Sequence, residues 1–246
     1  KPDAVLVAWL PGQEGGNSVA DILTGKETPS GRLPMAWPVS YNDVPSKNDF
    51  PVPDEISEEM LTESLKGFAD VRTEGERKNF DVTTYNDGVY VGYRYYTTKN
   101  VPVSYPFGYG LSYTTFSYSG MKADKTENGD IRVTVTVKNT GKVSGKEVVQ
   151  VYVSAPGKDM DKPARELKGF TKTRKLQPGE SQTVSVSIPY ESLASFNEEG
   201  SCWQVEEGTY QILVAKNAAD KKPLAVAVTE QGKVTETVKS CLVLQQ

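Results

Sequence analysis

The absence of histidine limits the chemistry open to this sequence of 246 residues. Without an imidazole, Ser-His and Cys-His nucleophile pairs and histidine metal ligands are excluded within the chain. Any chemistry within the chain must therefore rest on carboxylates, tyrosines or lysines. Two groups of such residues stand out by their spacing: Glu14 inside a glycine-rich turn, and the run Tyr93-Arg94-Tyr95-Tyr96.

Glu14 lies in the turn Pro11-Gly-Gln-Glu-Gly-Gly16, directly after an apolar run. Open α/β sheets gather ligands at the carboxyl ends of their strands, so Glu14 is a candidate residue at the rim of a substrate site. The alternative is structural: the glycines permit a tight turn, and the carboxylate satisfies amides near the start of a helix. The glycine spacing fits neither a dinucleotide loop nor a Walker phosphate loop, and we favour the structural interpretation.

Tyr93, Arg94 and Tyr95 form an aromatic and basic cluster with two interpretations. Tyrosine rings beside an arginine suit the stacking of a sugar, which would make these residues part of a substrate rim. They equally suit an interface between domains, where tyrosine buries its ring and hydrogen-bonds its hydroxyl, and their place in a connecting segment favours this second interpretation. Trp203 precedes a predicted strand and is expected to fill the core rather than to form an exposed sugar platform.

The cysteines and the acidic residues indicate no metal site. Cys202 and Cys241 are the two cysteines of the chain. They form either a disulfide that ties the tail to the fold, if the chain is exported, or a pair of free or buried thiols, which we favour. The acidic run within residues 54–63 lacks the Asp-x-Asp-x-Asx-Gly loop of a calcium site and is typical of a solvated helix face. We therefore expect no metal and no cofactor.

Composition excludes several classes of function. The chain has 28 Lys and Arg and 32 Asp and Glu, for a net charge of −4. This balance disfavours nucleic acid as a ligand, because phosphate binding needs clustered basic side chains. Apolar residues make up 37 % of the chain and charged residues 24 %, as in a folded protein. No apolar run approaches the roughly 18 residues that a membrane span requires.

The elements that would position the candidate residues divide the chain into residues 1–40, 41–112 and 113–246. The apolar run over 4–10 predicts a strand buried on both faces of a parallel sheet. Asn17 or Ser18 would cap a short helix that stops at Gly25. A parallel sheet needs several such units, so the first part is expected to be the last piece of an α/β domain whose remainder is missing.

The middle part is a proline-rich, irregular linker with a helix predicted over residues 54–68. In the third part, apolar residues recur at every second position, which is the pattern of half-buried strands. We predict strands over residues 131–137, 148–154, 166–173, 183–188, 209–215 and 224–229, with an edge strand or tail over 234–244. Antiparallel strands of this length and spacing indicate an immunoglobulin-like or fibronectin type III-like β-sandwich, so the protein is expected to be mostly β.

Three sets of motifs follow one another along the chain. They are Trp9-Leu-Pro-Gly-Gln-Glu-Gly-Gly-Asn-Ser-Val-Ala-Asp-Ile-Leu-Thr-Gly25 with Pro29-Ser-Gly-Arg-Leu-Pro-Met-Ala-Trp-Pro38; Tyr90-Val-Gly-Tyr-Arg-Tyr-Tyr96 with Val103-Ser-Tyr-Pro-Phe-Gly-Tyr-Gly-Leu-Ser-Tyr-Thr-Thr-Phe116; and Val137-Lys-Asn-Thr-Gly141, Val149-Gln-Val-Tyr-Val153, Leu167-Lys-Gly-Phe170 and Leu176-Gln-Pro-Gly-Glu180. Their order and spacing resemble the C-terminal part of glycoside hydrolase family 3, the β-glucosidase and β-xylosidase family. The three sets resemble the end of that family's α/β sandwich domain, its connecting segment and its fibronectin type III-like domain.

The resemblance implies a retaining, exo-acting β-glycosidase that removes terminal β-linked sugars from oligosaccharides or glycosides. In that family the aspartate nucleophile lies in an N-terminal barrel domain, and the acid/base glutamate lies upstream of the turn at residues 11–16. Neither maps onto this chain, which is therefore expected to be an inactive structural scaffold. Its implied partners are the missing barrel and α/β domains, and oligosaccharide would bind only to the intact enzyme. The family also implies a periplasmic or secreted protein, and because Lys1 is not a native start, the absence of a signal peptide carries no information.

Two other functions stay open on the residues alone. A stand-alone carbohydrate-binding module would need a coplanar strip of exposed aromatic rings, whereas the predicted strands carry mostly Val, Thr, Ser and Lys. A protein-interaction module is compatible with the fold, because β-sandwiches serve many roles.

One physical expectation accompanies the favoured hypothesis. Without its sheet, the strand at residues 5–10 leaves uncovered apolar faces, so it should pair with another copy, be covered by residues 54–68 or become disordered.

Overall fold

The computed structural model describes residues 3–48 and 85–239, and within them the protein is mostly β. Its helices are α1 (Gly15–Leu23) and α2 (Tyr93–Lys99), with 3₁₀ turns at Tyr41–Asp43, Pro45–Asn48 and Tyr190–Leu193. The strands are β1 (Trp37–Pro38), β2 (Val103–Tyr105), β3 (Phe116–Lys125), β4 (Ile131–Asn139), β5 (Val148–Ser154), β6 (Glu166–Lys172), β7 (Ser181–Ile188), β8 (Ser195–Asn197), β9 (Cys202–Val205), β10 (Gly208–Ala215), β11 (Leu224–Glu230) and β12 (Lys233–Thr237).

Seven of these strands form the predicted fibronectin type III-like sandwich. One sheet has the order β3-β4-β7 and the other β11-β10-β5-β6, and all neighbours pair antiparallel. Apolar residues alternate along β4, as the sequence predicts. The inward-facing side chains are each at most 2 % exposed: Ile131, Val133, Val135 and Val137. These side chains pack against the inner face of the other sheet, which builds the main core between the two layers.

A second, smaller core lies on the outer face of the four-stranded sheet. It consists of Tyr152, Leu213, Ala215 and Ala218, with Tyr93, Phe107 and Leu167 packed against them. Helix α2 and the segment after β2 thus cover a face that an isolated sandwich would expose to water. This explains why β5 is an almost unbroken apolar run: it is buried on both faces.

Tyr210 fixes the chain where it enters β10. Its side chain is fully buried, and its hydroxyl donates a 3.1 Å hydrogen bond to the backbone carbonyl of Glu206, four residues upstream. Burial raises the pKa of Tyr210 to about 12, so the hydroxyl stays protonated and continues to donate. A tyrosine bonded in this way is a recurrent corner of immunoglobulin-like sandwiches.

Replacing Tyr210 with phenylalanine is expected to lower the free energy of unfolding by about 1.5 kcal/mol, because a buried carbonyl loses its donor while the packing is retained. Equilibrium unfolding in urea measures the change. Tyr85→Phe, at an exposed tyrosine, is the matched control and should shift the same free energy by less than about 0.5 kcal/mol. Equal stability of the two variants would contradict a stabilising role for this bond.

The strand predicted over residues 4–10 is wrong: residues 3–10 form neither helix nor strand. A strand exists only through hydrogen bonds to a neighbour, and the parallel sheet that would supply one is not built from this part of the chain. Its apolar side chains lie uncovered, as expected for a sheet element without its sheet. Leu10 is 98 % exposed and Val5 is 60 % exposed.

Helix α1 begins earlier than predicted, because its N-cap is Glu14 and neither Asn17 nor Ser18. The glycines around the turn allow the chain to enter the helix directly from the loop. Gly25 follows the helix in the left-handed conformation, with φ +74°, and ends it as predicted.

A three-stranded sheet of order β12-β9-β8 extends one end of the sandwich. The sequence did not reveal β1, β2, β8, β9 or the first sandwich strand, β3. Of the tail strand predicted over 234–244, residues 240–244 lie outside the described residues, and a strand is found at Lys233–Thr237. Trp203 lies on β9 and is 41 % exposed, so its predicted place in the core is wrong. Its strand belongs to the connection between β7 and β10, outside the two sheets that enclose the core. The helix predicted over 54–68 lies outside the described residues.

Candidate functional site

The N-terminal segment crosses one end of the sandwich, where β4 connects to β5 and β6 to β7. Thr28 Oγ1 donates a 2.8 Å hydrogen bond to the carbonyl of Ser144, and Lys175 Nζ lies 3.1 Å from a carboxylate oxygen of Glu27. Residues 27–33 and 107–110, with the sandwich residues they touch, make up one continuous contact, which we call the docking interface.

Arg32 and Glu147 form a buried ion pair at the centre of the docking interface. Arg32 Nη2 lies 2.7 Å from Glu147 Oε2, and the two side chains are 11 % and 6 % exposed. The hydroxyl of Tyr118, on β3, donates to the other carboxylate oxygen at 2.6 Å. Burial, reinforced by the negative charge of Glu147, raises the pKa of Tyr118, so this hydroxyl remains a donor. Glu147 thereby joins the N-terminal segment to the sandwich through two strong hydrogen bonds.

Gly108 links the two motif segments through a short backbone ladder. Its N–H donates to the carbonyl of Leu33, and the N–H of Leu33 donates to the carbonyl of Tyr109, both at 2.8 Å. Gly108 has φ +80°, and a Cβ at this position would lie 2.0 Å from Oε1 of Gln150. Gln150 is itself buried, and its Nε2 donates to the Gly108 carbonyl at 3.0 Å. Glycine is therefore required both for the backbone conformation and for the close approach.

Two of the predicted rim residues, Tyr93 and Arg94, contact the sandwich. The ring of Tyr93 stacks on Phe107 with centroids 4.4 Å apart, and its hydroxyl accepts a 2.8 Å hydrogen bond from the N–H of Leu167. Arg94 Nη2 lies 2.9 Å from Oε1 of Glu166. These are contacts of the kind that the interface interpretation requires.

The remaining candidate residues that the structure describes lie at α2, α1 and β9. Tyr95 also lies on α2, with its ring edge-on to that of Tyr96 at 5.4 Å. Glu14 is exposed at the start of α1 and accepts a 2.6 Å hydrogen bond from Nδ2 of Asn17. Cys202 is a buried thiol on β9 without a disulfide among the described residues, and Cys241 lies outside them.

A second buried carboxylate, Glu206, holds the loop between β5 and β6. Its Oε1 accepts hydrogen bonds from the N–H groups of Asp159 and Met160 at 2.7 and 3.0 Å, and its Oε2 lies 3.5 Å from Nζ of Lys162. Burial favours the neutral form of Glu206, but the two backbone donors and the lysine outweigh it and hold the pKa of Glu206 below its ordinary value. Burial also lowers the pKa of Lys162.

The lowered pKa of Glu206 predicts an acid-sensitive loop. Ionised Glu206 stabilises the fold above its unfolded pKa of about 4.3, and this contribution is lost as the pH falls through the folded value. Glu206→Gln should therefore be much less stable than the parent near pH 7, and the gap should narrow near pH 3.5. Urea unfolding at the two pH values measures it, with Glu198→Gln, at an exposed turn residue, as the control. An equal difference in unfolding free energy between parent and variant at both pH values would contradict the lowered pKa of Glu206.

Within residues 3–48 and 85–239, no group of three or more His, Cys, Asp or Glu side chains is placed to hold a metal ion. A surface depression of about 450 Å³ is lined by residues 154–164 alone and contains no aromatic ring on which a sugar would stack. None of the helices described is long and apolar enough to cross a membrane.

Sequence reasoning missed Arg32, Glu147 and Gln150 as the residues of the docking interface. Arg32 and Gln150 lie inside motifs that the sequence made conspicuous, so a signal existed, but the motifs alone did not say what the side chains contact. Glu147 carried no signal, because a lone carboxylate before an apolar strand looks like any solvated strand end.

Two family models match the chain. One, described as the glycosyl hydrolase family 3 C-terminal domain, matches residues 1–113, and the other, a fibronectin type III-like domain, matches residues 147–218. The chain belongs to glycoside hydrolase family 3, as the C-terminal part of such a protein. Within this family framework, the ion pair of Arg32 and Glu147 joins the two matched regions to each other.

Relatives and solved structures of family 3 proteins cover most of the chain. It is 39 % identical over 223 residues to β-glucosidase B of Emericella nidulans, covering 89 % of this chain and 24 % of that protein. It is 40 % identical over 231 residues to an exo-α-(1→6)-L-arabinopyranosidase of Bifidobacterium longum, covering 93 % and 27 %. The structure of β-glucosidase 3B from Thermotoga neapolitana in complex with α-D-glucose has a TM-score of 0.77 at 40 % identity, covering 94 % and 28 %. The chain therefore spans about a quarter of the length of these proteins.

Proposed function

We propose that the chain is the C-terminal, non-catalytic portion of a retaining, exo-acting β-glycosidase of the β-glucosidase type, and that it acts as a scaffold. The docking interface carries this proposal. Arg32 and Gly108, which lie inside the family motifs, join the N-terminal segment to the sandwich. Retaining hydrolysis needs two carboxyl groups about 5 to 5.5 Å apart across the sugar. The buried carboxylates of Glu147 and Glu206 are instead engaged by a cation and by hydrogen-bond donors.

The uncovered side chains of the N-terminal segment support the proposed partners. Leu6, Trp9, Leu10 and Leu23 are all exposed, which is costly for apolar groups that lie close together in the sequence. The missing strands of the α/β domain, together with the barrel domain, are the partners that we propose to cover them. In that assembly Glu14, which is exposed at the start of α1, is the rim residue best able to approach an oligosaccharide.

The range of relatives supports placing sugar specificity outside this chain. Two relatives, a β-glucosidase and an exo-α-(1→6)-L-arabinopyranosidase, are named for different sugars. Yet this chain is 39 % and 40 % identical to the two. The chain is thus about equally similar to two proteins named for different sugars, as is expected of a segment that does not fix the substrate.

Hydrolysis of p-nitrophenyl β-glucoside and p-nitrophenyl β-xyloside by the 246-residue chain tests the proposal. We expect no turnover above buffer from the chain alone and measurable turnover from a longer protein that also supplies the barrel and α/β domains. Robust turnover by the chain alone would refute its non-catalytic role. Turnover by the longer protein that does not depend on this chain would refute its scaffold role.

Export to the periplasm or the medium is also part of the proposal, on the strength of the family resemblance. Thiol titration of the denatured, unreduced chain separates the two states of Cys202 and Cys241. Two reactive thiols are expected for the free pair that we favour, and none for a disulfide.

A further inference from the structure

Two aromatic side chains lie uncovered on the small sheet at one end of the sandwich. Phe196 on β8 and Trp203 on β9 are cross-strand neighbours, with ring centroids 5.6 Å apart and planes at 64°. They are 42 % and 41 % exposed, so both rings can be reached by a partner. We call Phe196 and Trp203 the aromatic pair. Exposed aromatic side chains in contact are typical anchors of protein interfaces.

Carboxylates surround the aromatic pair. Glu198 and Glu199 lie in the turn that joins β8 to β9, and Glu236 lies opposite Trp203 on β12. All three are exposed, and we call them the acidic rim. The stretch 190–207, which contains the pair, holds five glutamates and neither lysine nor arginine, and β12 adds Glu236 and Lys233. Lys233 lies opposite Val205, with its ammonium group over the ring of Tyr190. Six carboxylates thus face one ammonium group in these two stretches, so the local potential is negative and attracts cations to the face of an indole.

We propose that the aromatic pair is a docking site for a basic segment of a separate polypeptide. A lysine or arginine of the partner lies over the Trp203 ring, with its charge towards the acidic rim. Two rings at 64° do not form the coplanar platform that a sugar chain requires, whereas a single cation needs only one ring face. Charge complementarity and geometry thus both favour a cationic occupant.

The position of the aromatic pair argues for a separate chain over an upstream domain of the same protein. The pair follows the end of β7 at Ile188 and precedes β10, which begins at Gly208. Arg32 meets Glu147 at the opposite end of the sandwich, where β4 leads into β5. A domain that covers the exposed N-terminal segment therefore lies at the far end from the aromatic pair.

Fluorescence anisotropy of a dye-labelled (Gly-Arg)₄ peptide, titrated with the 246-residue chain, tests the proposal. We expect binding that weakens severalfold as NaCl is raised from about 50 to about 300 mM. Trp203→Leu, which removes the indole but keeps an apolar side chain, should weaken binding about tenfold. Glu199→Gln/Glu236→Gln leaves both rings in place and should weaken binding severalfold. Phe170→Ala removes an aromatic ring that is 68 % exposed on β6, and it should leave binding unchanged.

Any of the following results would overturn the proposal. The chain does not bind the peptide; the parent, Trp203→Leu and Glu199→Gln/Glu236→Gln all bind it equally; a (Gly-Glu)₄ peptide binds as well; or Phe170→Ala loses as much binding as Trp203→Leu. Displacement of the peptide by cellohexaose, with affinity independent of salt, would assign the surface to sugars and likewise overturn it. Because the rim variant changes only exposed carboxylates, its result does not depend on how well Trp203→Leu folds.

Discussion

Replacing Arg32 with alanine is expected to lower the free energy of unfolding by about 3 kcal/mol, because the buried carboxylate of Glu147 would lose its cation. The hydroxyl of Tyr118 would remain as a donor but cannot neutralise the charge. The N-terminal segment should also come away from the sandwich more readily. Urea unfolding gives the free energy, and limited proteolysis within residues 26–38 reports the release of the segment.

Two matched variants separate the ion pair from a general effect of removing charge. Lys175→Ala breaks the ion pair of Lys175 with Glu27, whose side chains are 39 % and 55 % exposed, and should cost less than about 1 kcal/mol. The triple variant Arg32→Met/Glu147→Leu/Tyr118→Phe removes the charges and the hydroxyl together and should recover most of the stability lost in Arg32→Ala. If Arg32→Ala costs no more than Lys175→Ala, the buried pair does not hold the interface.

Gly108→Ala is expected to be as damaging, at about 3 kcal/mol. An alanine at φ +80° carries a conformational penalty of roughly 1 kcal/mol. Its Cβ would also lie 2.0 Å from Oε1 of Gln150, which is buried and fixed by the hydroxyl of Tyr152 at 2.7 Å. Overpacking of this kind costs a further 1 to 3 kcal/mol, roughly. Urea unfolding measures the sum.

Gly179→Ala is the matched control for Gly108→Ala. Gly179 has the same φ of +80°, but nothing lies within 4 Å of its Cβ position. It should therefore lose only the conformational part, about 1 kcal/mol. The difference between the two variants isolates the close approach of Gly108 to Gln150. Equal losses would mean that the segment after β2 is not tightly docked.

The sandwich strands were predictable because burial on one face imposes a period of two. The strand predicted over 131–137 is found at Ile131–Asn139, and that predicted over 148–154 matches Val148–Ser154. In β4 the apolar side chains alternate because one face meets the two-layer core, so local pattern and tertiary structure agree. β5 was also located correctly, but it is buried on both faces and does not follow that period.

Helix α2 and the docking interface were not predictable for the opposite reason. The helix sequence contains three tyrosines and two threonines, which favour a helix only weakly. The helix is stabilised by tertiary contacts: Tyr93 stacks on Phe107, and Tyr96 is buried. Likewise, Arg32 and Glu147 are 115 residues apart in the sequence, and no local rule pairs them. The prediction for Trp203 is wrong because the strand that carries it, β9, was not predicted and lies outside the two sheets that enclose the core.

Native-state hydrogen exchange of the Leu33 and Gly108 amides is the most direct test of whether the N-terminal segment and the sandwich form one cooperative unit. Both amides donate across the docking interface. The scaffold account predicts that they exchange in the same cooperative opening as the amides of β4, with the same free energy and the same dependence on urea. Rapid exchange of both amides while β4 stays protected would show that the segment is only loosely attached, and would contradict the account.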